Sequence, residues 1–181
     1  MKYARLLVEI GIVALLIAVA YLVVGQQNNP QAESPVTSFD ECQKAGYPVA
    51  LSYPSTCRTP NGTTFTQDIG NEFEKQNVIK IANPRPNTTI SSPLTITGEA
   101  RGTWFFEASF PVRLVDNQGA EIATGIATAQ GEWMTEDFVP FSATLTFSTA
   151  ATIGTLILER DNPSGLPENA DELRVPVKIS Q

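Results

Sequence analysis

Two tryptophans stand close to carboxylic acids in this sequence, and their combination could bind a sugar. Trp104 is followed by Glu107, and Trp133 is followed by Glu136 and Asp137. An aromatic face can stack on a sugar ring while nearby carboxylates accept hydrogen bonds from its hydroxyl groups. The pattern therefore predicts ligand-binding surfaces in these two segments.

Each tryptophan also has a structural interpretation. Trp104 shares the alternation of Phe106 and Phe110, so a regular strand through these residues would turn all three toward the core. Trp133 lies between charged residues shortly before a predicted strand, where it would serve equally well as a ligand platform or as a cap over the end of the domain. The sequence alone does not decide between these alternatives.

Hydrolysis of a sugar chain would need more than a stacking surface. A glycosidase requires two facing carboxyl groups, one of them protonated. Glu107 would have to meet Glu132, Glu136 or Asp137 across two separate loops, and no feature of the sequence indicates that these loops converge. The chain contains no histidine, which excludes Ser-His-Asp and Cys-His nucleophilic sites. We therefore predict that the protein is not an enzyme.

A short stretch near the C-terminus is rich in carboxylates. Oxygen ligands in a flexible loop can bind calcium, although the spacing here does not match an EF-hand loop. Acidic surface loops are also commonly only solvated. We predict no cofactor, with calcium as the one alternative that has candidate ligands. These ligands are Asp161, Glu168, Asp171 and Glu172.

The two cysteines of the chain, Cys42 and Cys57, lie in a segment rich in proline, glycine and aromatic residues. An even number of cysteines in an exported segment favours a disulfide. A reactive thiol would need basic neighbours, and Arg58 alone is adjacent. We predict a small disulfide-stapled module over residues 39–77, with a hairpin turn at Asn61-Gly62.

The start of the chain predicts its location. An apolar run over residues 6–24 follows the positive residues Lys2 and Arg5, and Glu9 interrupts it. As a helix, these 19 residues would span roughly 28 Å, close to the ~30 Å hydrocarbon core of a bilayer. Positive residues resist translocation, so we predict a single-pass anchor over residues 1–25 with a cytoplasmic N-terminus and an extracytoplasmic C-terminal domain. The alternative is a secretory signal peptide that is cleaved after this run.

A polar linker over residues 26–38 separates this anchor from the cysteine segment, and from Val78 onward apolar and polar residues alternate. Such alternation is typical of strands with one buried face. The clearest strands are predicted over 106–114, 139–147 and 173–179. The pattern predicts an all-β fold over residues 78–181, an immunoglobulin-like β-sandwich of about seven strands. Four weaker strands are predicted from Val78 to Ala82, Leu94 to Gly98, Glu121 to Ala129 and Thr155 to Arg160.

Three segments of this region are similar to a known family. They are SSPLTITGEARGTWFFEASFPVRLVD (Ser91 to Asp116), GEWMTEDFVPF (Gly131 to Phe141) and ERDNPSGLPENADELRVPV (Glu159 to Val177). Over roughly Val78 to Ile179, the chain resembles the immunoglobulin-like domain of bacterial spore germination, the second type of the Gmad family. The resemblance implies an extracytoplasmic β-sandwich that accompanies other envelope modules, and it implies no catalytic residues.

The formal net charge of −7 disfavours nucleic acid as a partner. The expected partners are the membrane, through the N-terminal helix, and cell-wall glycan or envelope proteins. We predict a non-catalytic, membrane-anchored binding or structural module of the bacterial cell envelope. One alternative is a protein that binds or degrades wall glycan through Trp104, Trp133 and nearby carboxylates, and another is a subunit of an envelope complex.

Overall fold

The structure is a computed structural model that describes residues 35–180. The predicted membrane anchor and most of the predicted linker lie outside the described residues. Within residues 35–180, no helix is long and apolar enough to cross a membrane.

The first part of the described chain is a short helix packed on a small antiparallel sheet, held together by one disulfide. The predicted bond between Cys42 and Cys57 is confirmed, and both cysteines are buried together with Phe39. Ser38 caps the helix because its hydroxyl accepts a hydrogen bond from the N–H of Glu41 at 3.2 Å. The elements are α1 (Phe39–Lys44), β1 (Val49–Ala50), β2 (Thr56–Arg58) and β3 (Thr64–Thr66).

The predicted hairpin at Asn61-Gly62 is confirmed, since it connects β2 and β3 in an antiparallel pair. Gly62 has a φ of +90°, which a side chain rarely tolerates. The side-chain oxygen of Asn61 accepts a hydrogen bond from the N–H of Thr63 at 3.1 Å, an arrangement that stabilises the turn.

After a four-residue helix, α2 (Glu72–Lys75), the chain forms eight strands of one hydrogen-bonded sheet. All seven predicted strands occur, with boundaries shifted by up to three residues, and the eighth is a two-residue strand. The strands are β4 (Ile79–Asn83), β5 (Thr89–Ile90), β6 (Leu94–Arg101), β7 (Ser109–Asp116), β8 (Glu121–Ala129), β9 (Phe138–Leu145), β10 (Ile153–Glu159) and β11 (Glu172–Ile179).

The strand order is β4-β6-β9-β8-β7-β10-β11-β5. The ladder between β8 and β9 contains two residue pairs, Thr128 with Ser142 and Ala129 with Phe141. At this short ladder the sheet folds over, so that the apolar faces of its two halves form one core. The rings of Phe110 on β7 and Phe141 on β9 lie 4.9 Å apart, edge to face, inside this core.

One predicted strand begins later than its alternation indicated. Phe106 was expected to face the core, but its side chain is 43% exposed and Phe105 is buried instead. The reason is a tight turn, in which Phe106 and Ser109 exchange both backbone hydrogen bonds at 3.0 Å. Its two central residues, Glu107 and Ala108, have φ angles of +49° and +62°. The turn resets the alternation, and the predicted pattern holds from Phe110 onward.

The segment that follows β3 attaches the cysteine module to the sandwich. Asn71 bonds to β11 through both ends of its side chain: its Nδ2 donates to the carbonyl of Glu172 at 2.9 Å, and its Oδ1 accepts from the N–H of Arg174 at 2.7 Å. A Cβ atom at Gly70 would overlap the carbonyl oxygen of Arg174. Lys75 adds an ion pair with Asp171 at 2.5 Å. The module is therefore docked on the edge of β11.

Candidate functional site

Trp104 belongs to the core of the sandwich. It lies in the 3₁₀ turn Gly102–Trp104 between β6 and β7 and is 2% exposed. Its Nε1–H has no hydrogen-bond acceptor among the described residues. The expectation that Trp104 contacts a ligand is therefore wrong, because its ring is enclosed by the apolar faces of the folded sheet.

Trp133 lies in the loop between β8 and β9 and covers one end of the same core. Its side chain is half-buried against the core residues. The loop lies directly on Gly102, where a Cβ atom would overlap the carbonyl oxygens of Trp133 and Thr135. This packing agrees with the interpretation of Trp133 as a cap. Its role as a ligand platform stays a prediction for the exposed part of the ring.

The other residues of the predicted sugar site occupy two separate loops. Glu107 is exposed in the turn between Phe106 and Ser109, whereas Glu136 and Asp137 are exposed in the loop after Trp133. The backbone carbonyl of Glu136 accepts a hydrogen bond from Arg101 at 2.6 Å, which fixes the loop and leaves the carboxylate in solvent. None of these three carboxylates lines any of the four clefts described for the molecule.

The four candidate calcium ligands are not brought together. Asp171 pairs with Lys75, and Glu172 pairs with Arg174 at 2.6 Å. Within residues 35–180, no group of three or more acidic, cysteine or histidine side chains is placed to hold a metal ion. The predicted calcium ligand set is therefore not assembled in this structure, because Lys75 and Arg174 occupy two of its carboxylates.

A cleft of about 680 Å³ lies beside this acidic stretch, and most of its charges are paired. Glu159 forms an ion pair with Arg113 at 2.5 Å, in addition to the pair between Lys75 and Asp171. Arg160 donates from Nε to the backbone carbonyl of Thr103 at 3.1 Å. We call this the charged cleft. Its charged side chains mainly form ion pairs and hydrogen bonds with other segments of the same chain.

A polar cluster that the sequence did not indicate joins the module to β4 and the loop that follows it. The side chains of Tyr53, Glu72 and Arg85 are mutually hydrogen-bonded: Tyr53 donates its hydroxyl to Glu72, and Arg85 donates to the Tyr53 oxygen at 2.7 Å. Arg85 also pairs with Glu72 at 2.5 Å and donates to the backbone carbonyl of Ile81 at 2.6 Å. Phe73 contacts the Tyr53 ring edge to face at 5.8 Å.

This cluster changes the acidity of its tyrosine. Burial and the hydrogen bond to Glu72 raise the pKa of Tyr53 from 10.0 to about 12, and the positive charge of Arg85 partly opposes this. No sequence pattern indicates the cluster, because its three members come from three segments of different local structure. Its hydrogen bonds and ion pair connect the cysteine module to the loop that follows β4.

A second cleft, of about 490 Å³, runs between the module and the outer side of β10 and β11. We call it the joint cleft. Its module side includes Asp40 and Gln67, and its sandwich side includes Asn117, Ile153 and Lys178. The side chains of Asp40, Gln67, Asn117 and Lys178 make no hydrogen bond or ion pair with the described residues. In contrast to the charged cleft, its polar groups are available.

Comparison with known sequences identifies the larger part of the fold. Residues 78–165 match the family described as the immunoglobulin-like domain of bacterial spore germination, which is not a known enzyme family. No curated protein and no solved structure matches the chain. The family match ends before β11, although β11 pairs with β10 over seven residue pairs and completes the sheet. Residues 78–165 thus lie in an immunoglobulin-like domain that is similar to the family of bacterial spore germination, and the disulfide-linked module is docked to this domain.

Proposed function

We propose that this protein is a non-catalytic binding or structural module of the bacterial cell envelope, anchored in the membrane by its N-terminal helix. The observation that carries the proposal is the docking of the module on the immunoglobulin-like domain. Asn71, Lys75 and the Tyr53–Glu72–Arg85 cluster fix the two parts to each other, and open clefts run along their joint. Residues from both parts thereby form a single surface, which suits recognition.

The proposed location supports this role. A disulfide persists in an oxidising compartment, so the bond between Cys42 and Cys57 favours an extracytoplasmic position. The apolar run over residues 6–24 would hold the protein at the membrane, with the polar linker as a spacer.

Topology is tested with two single-cysteine additions to the full chain in living cells. Gln118→Cys places a thiol on an exposed turn of the sandwich, and Lys2→Cys places one before the apolar run. A membrane-impermeant maleimide should label Gln118→Cys in spheroplasts and Lys2→Cys only after the membrane is permeabilised. Labelling of Lys2→Cys alone in intact spheroplasts would contradict the proposed orientation.

Binding and catalysis are then separated on purified wall glycan. The non-catalytic proposal expects no release of soluble fragments by the full chain. Fragment release that Glu107→Gln abolishes would instead support the glycan-degrading alternative. Crosslinking in membranes followed by purification distinguishes a solitary binder from a subunit of an envelope complex, because only the latter gives a defined protein partner in constant proportion.

A further inference from the structure

The joint cleft has the size and position of a ligand site. Its volume of about 490 Å³ falls within the ~300–1,000 Å³ typical of small-molecule sites, which occur preferentially where two domains meet. It is lined by the ends of β3 and α1 on one side and by β10 and β11 on the other. Neither the module nor the sandwich would form this cleft alone.

The polar groups of the joint cleft are of mixed type. Gln67 and Asn117 carry amides, which both donate and accept hydrogen bonds, while Thr155 adds a hydroxyl. Asp40 can only accept and Lys178 can only donate. Their charges oppose each other, and none of these five side chains is engaged by another described residue. A ligand with many hydroxyl groups matches such a set, since each hydroxyl also donates and accepts.

The joint cleft also has an apolar wall. Ile153 is 49% exposed, and it lines the cleft together with Phe65 and Pro176. A sugar ring presents C–H groups on its faces and hydroxyls on its edge, so it can cover such a wall while its edge meets the amides. The carboxylates of Asp40 and Asp68 outnumber the single ammonium group of Lys178, which disfavours an anionic ligand such as a phosphate.

We propose that the joint cleft binds a short neutral saccharide, such as a segment of cell-wall glycan, with Gln67 and Asn117 as its main hydrogen-bonding residues. This inference rests on the proposed envelope function and specifies its ligand. It moves the sugar site from the two tryptophans to the boundary between the module and the sandwich.

The test uses the full chain in nanodiscs and three soluble probes: short neutral glycan strands made only of N-acetylglucosamine, the isolated wall peptides, and inorganic phosphate. Calorimetry should show saturable binding of the glycan strands and none of the phosphate. Asn117→Ala combined with Gln67→Ala should weaken binding about tenfold, as expected for two lost hydrogen bonds. Neither side chain supports the fold through a hydrogen bond, so both variants should remain folded.

Gln118→Ala is the matched control, because Gln118 occupies the same turn as Asn117 and does not line the cleft. It should leave the affinity unchanged. Equal binding by all variants, or binding that Trp133→Ala abolishes and Asn117→Ala does not, would overturn the assigned site. Binding of the wall peptides in place of the glycan would overturn the ligand class.

Failure of this inference can be told apart from failure of the proposed function. Absence of glycan binding, together with correct labelling of Gln118→Cys outside the membrane and a defined crosslinked partner, would reject the saccharide and retain the envelope role. Absence of glycan binding, together with labelling of Gln118→Cys only after the membrane is permeabilised, would reject both the saccharide and the envelope role.

Discussion

The sandwich and the cysteine module are stabilised in different ways. Among the described residues, the sandwich core contains 22 buried side chains, whereas the module core contains three, two of which are the bonded cysteines. A segment of this size rarely folds on apolar burial alone. The module instead depends on its disulfide and on polar contacts with the sandwich.

This difference has a consequence for function. The joint cleft exists only while the module stays docked, so its integrity depends on the weaker of the two parts. The two cores share no residue, so we expect the sandwich to keep its core when the module undocks, whereas damage to the sandwich should remove the surface on which the module rests. Substitutions in the sandwich core should therefore destabilise both parts, whereas substitutions in the module should destabilise the module alone.

The largest loss is expected from Phe110→Ala. Phe110 is fully buried and contacts Phe105 and Phe141. Removing a buried phenylalanine side chain typically costs about 3–5 kcal/mol, because apolar contacts are lost and a cavity remains. Urea unfolding followed by tryptophan fluorescence measures this loss, since both tryptophans lie in the sandwich.

Ile126→Ala is the control for this substitution, because Ile126 is 58% exposed on β8. It should change the free energy of unfolding by less than about 0.5 kcal/mol. A loss below 1 kcal/mol in Phe110→Ala would show that the sandwich does not depend on this core.

The second effect concerns the module. Replacing Cys42 and Cys57 together with serine removes a crosslink between residues 15 positions apart. In the chain-entropy model such a loop contributes roughly 3 kcal/mol. Hydrogen exchange of α1 and β2 should accelerate, while the fluorescence midpoint of the sandwich should stay the same. An equal loss in both parts would contradict the view that they are stabilised separately.

The sequence was most informative where one simple pattern controls the structure. The strands over β9 and β11 were predictable because every second residue is apolar and the opposite face meets solvent. The disulfide was predictable from two cysteines in a segment that is predicted to be exported. The turn between Phe106 and Ser109 was missed because Glu107 and Ala108 are not residues that favour a positive φ.

The candidate sites were less predictable, since they depend on which segments meet. Asp171 was a reasonable calcium ligand until Lys75, about a hundred residues away in sequence, was found beside it. The cluster of Tyr53 and Glu72 with Arg85 likewise joins distant segments. Local composition does not show which distant segments contact each other. The sequence therefore predicted a sugar site at the two tryptophans and did not predict the joint cleft between the module and the sandwich.

The third substitution, in the cluster of Tyr53, Glu72 and Arg85, should weaken the docking of the module and leave both cores intact. Glu72→Gln removes the buried charge that pairs with the partly exposed Arg85, and the cluster should then lose about 1–3 kcal/mol. The module should exchange hydrogen faster while the sandwich remains folded. The pKa of Tyr53 should fall from about 12 toward 10. An ultraviolet titration measures this change once the absorbance of the other tyrosines, obtained from a variant with Tyr53→Phe, is subtracted. An unchanged titration would contradict the contact between Tyr53 and Glu72.

The same tyrosine makes docking sensitive to alkaline pH. Because the pKa of Tyr53 is about 12 in the folded state and near 10 when unfolded, the folded state keeps its proton longer. The stabilisation is therefore fully present below pH 10 and is lost as the pH rises from 10 toward 12. Module hydrogen exchange, corrected for the intrinsic rate, should accelerate more in the wild type than in Tyr53→Phe over this range.

The smallest effect is expected in the turn where the sandwich departs from its own pattern. Ala108 has a φ of +62°, a conformation that costs an L-residue roughly 1–2 kcal/mol and glycine almost nothing. Glycine also loses about 0.4–1 kcal/mol more conformational entropy on folding than alanine. At the midpoints of these two ranges, the difference leaves a net gain of about 0.8 kcal/mol for Ala108→Gly. Ala120→Gly, at an exposed position without a positive φ, supplies only the entropic cost and should destabilise the sandwich. If urea unfolding showed a loss of stability for both substitutions, the left-handed conformation at Ala108 would be contradicted.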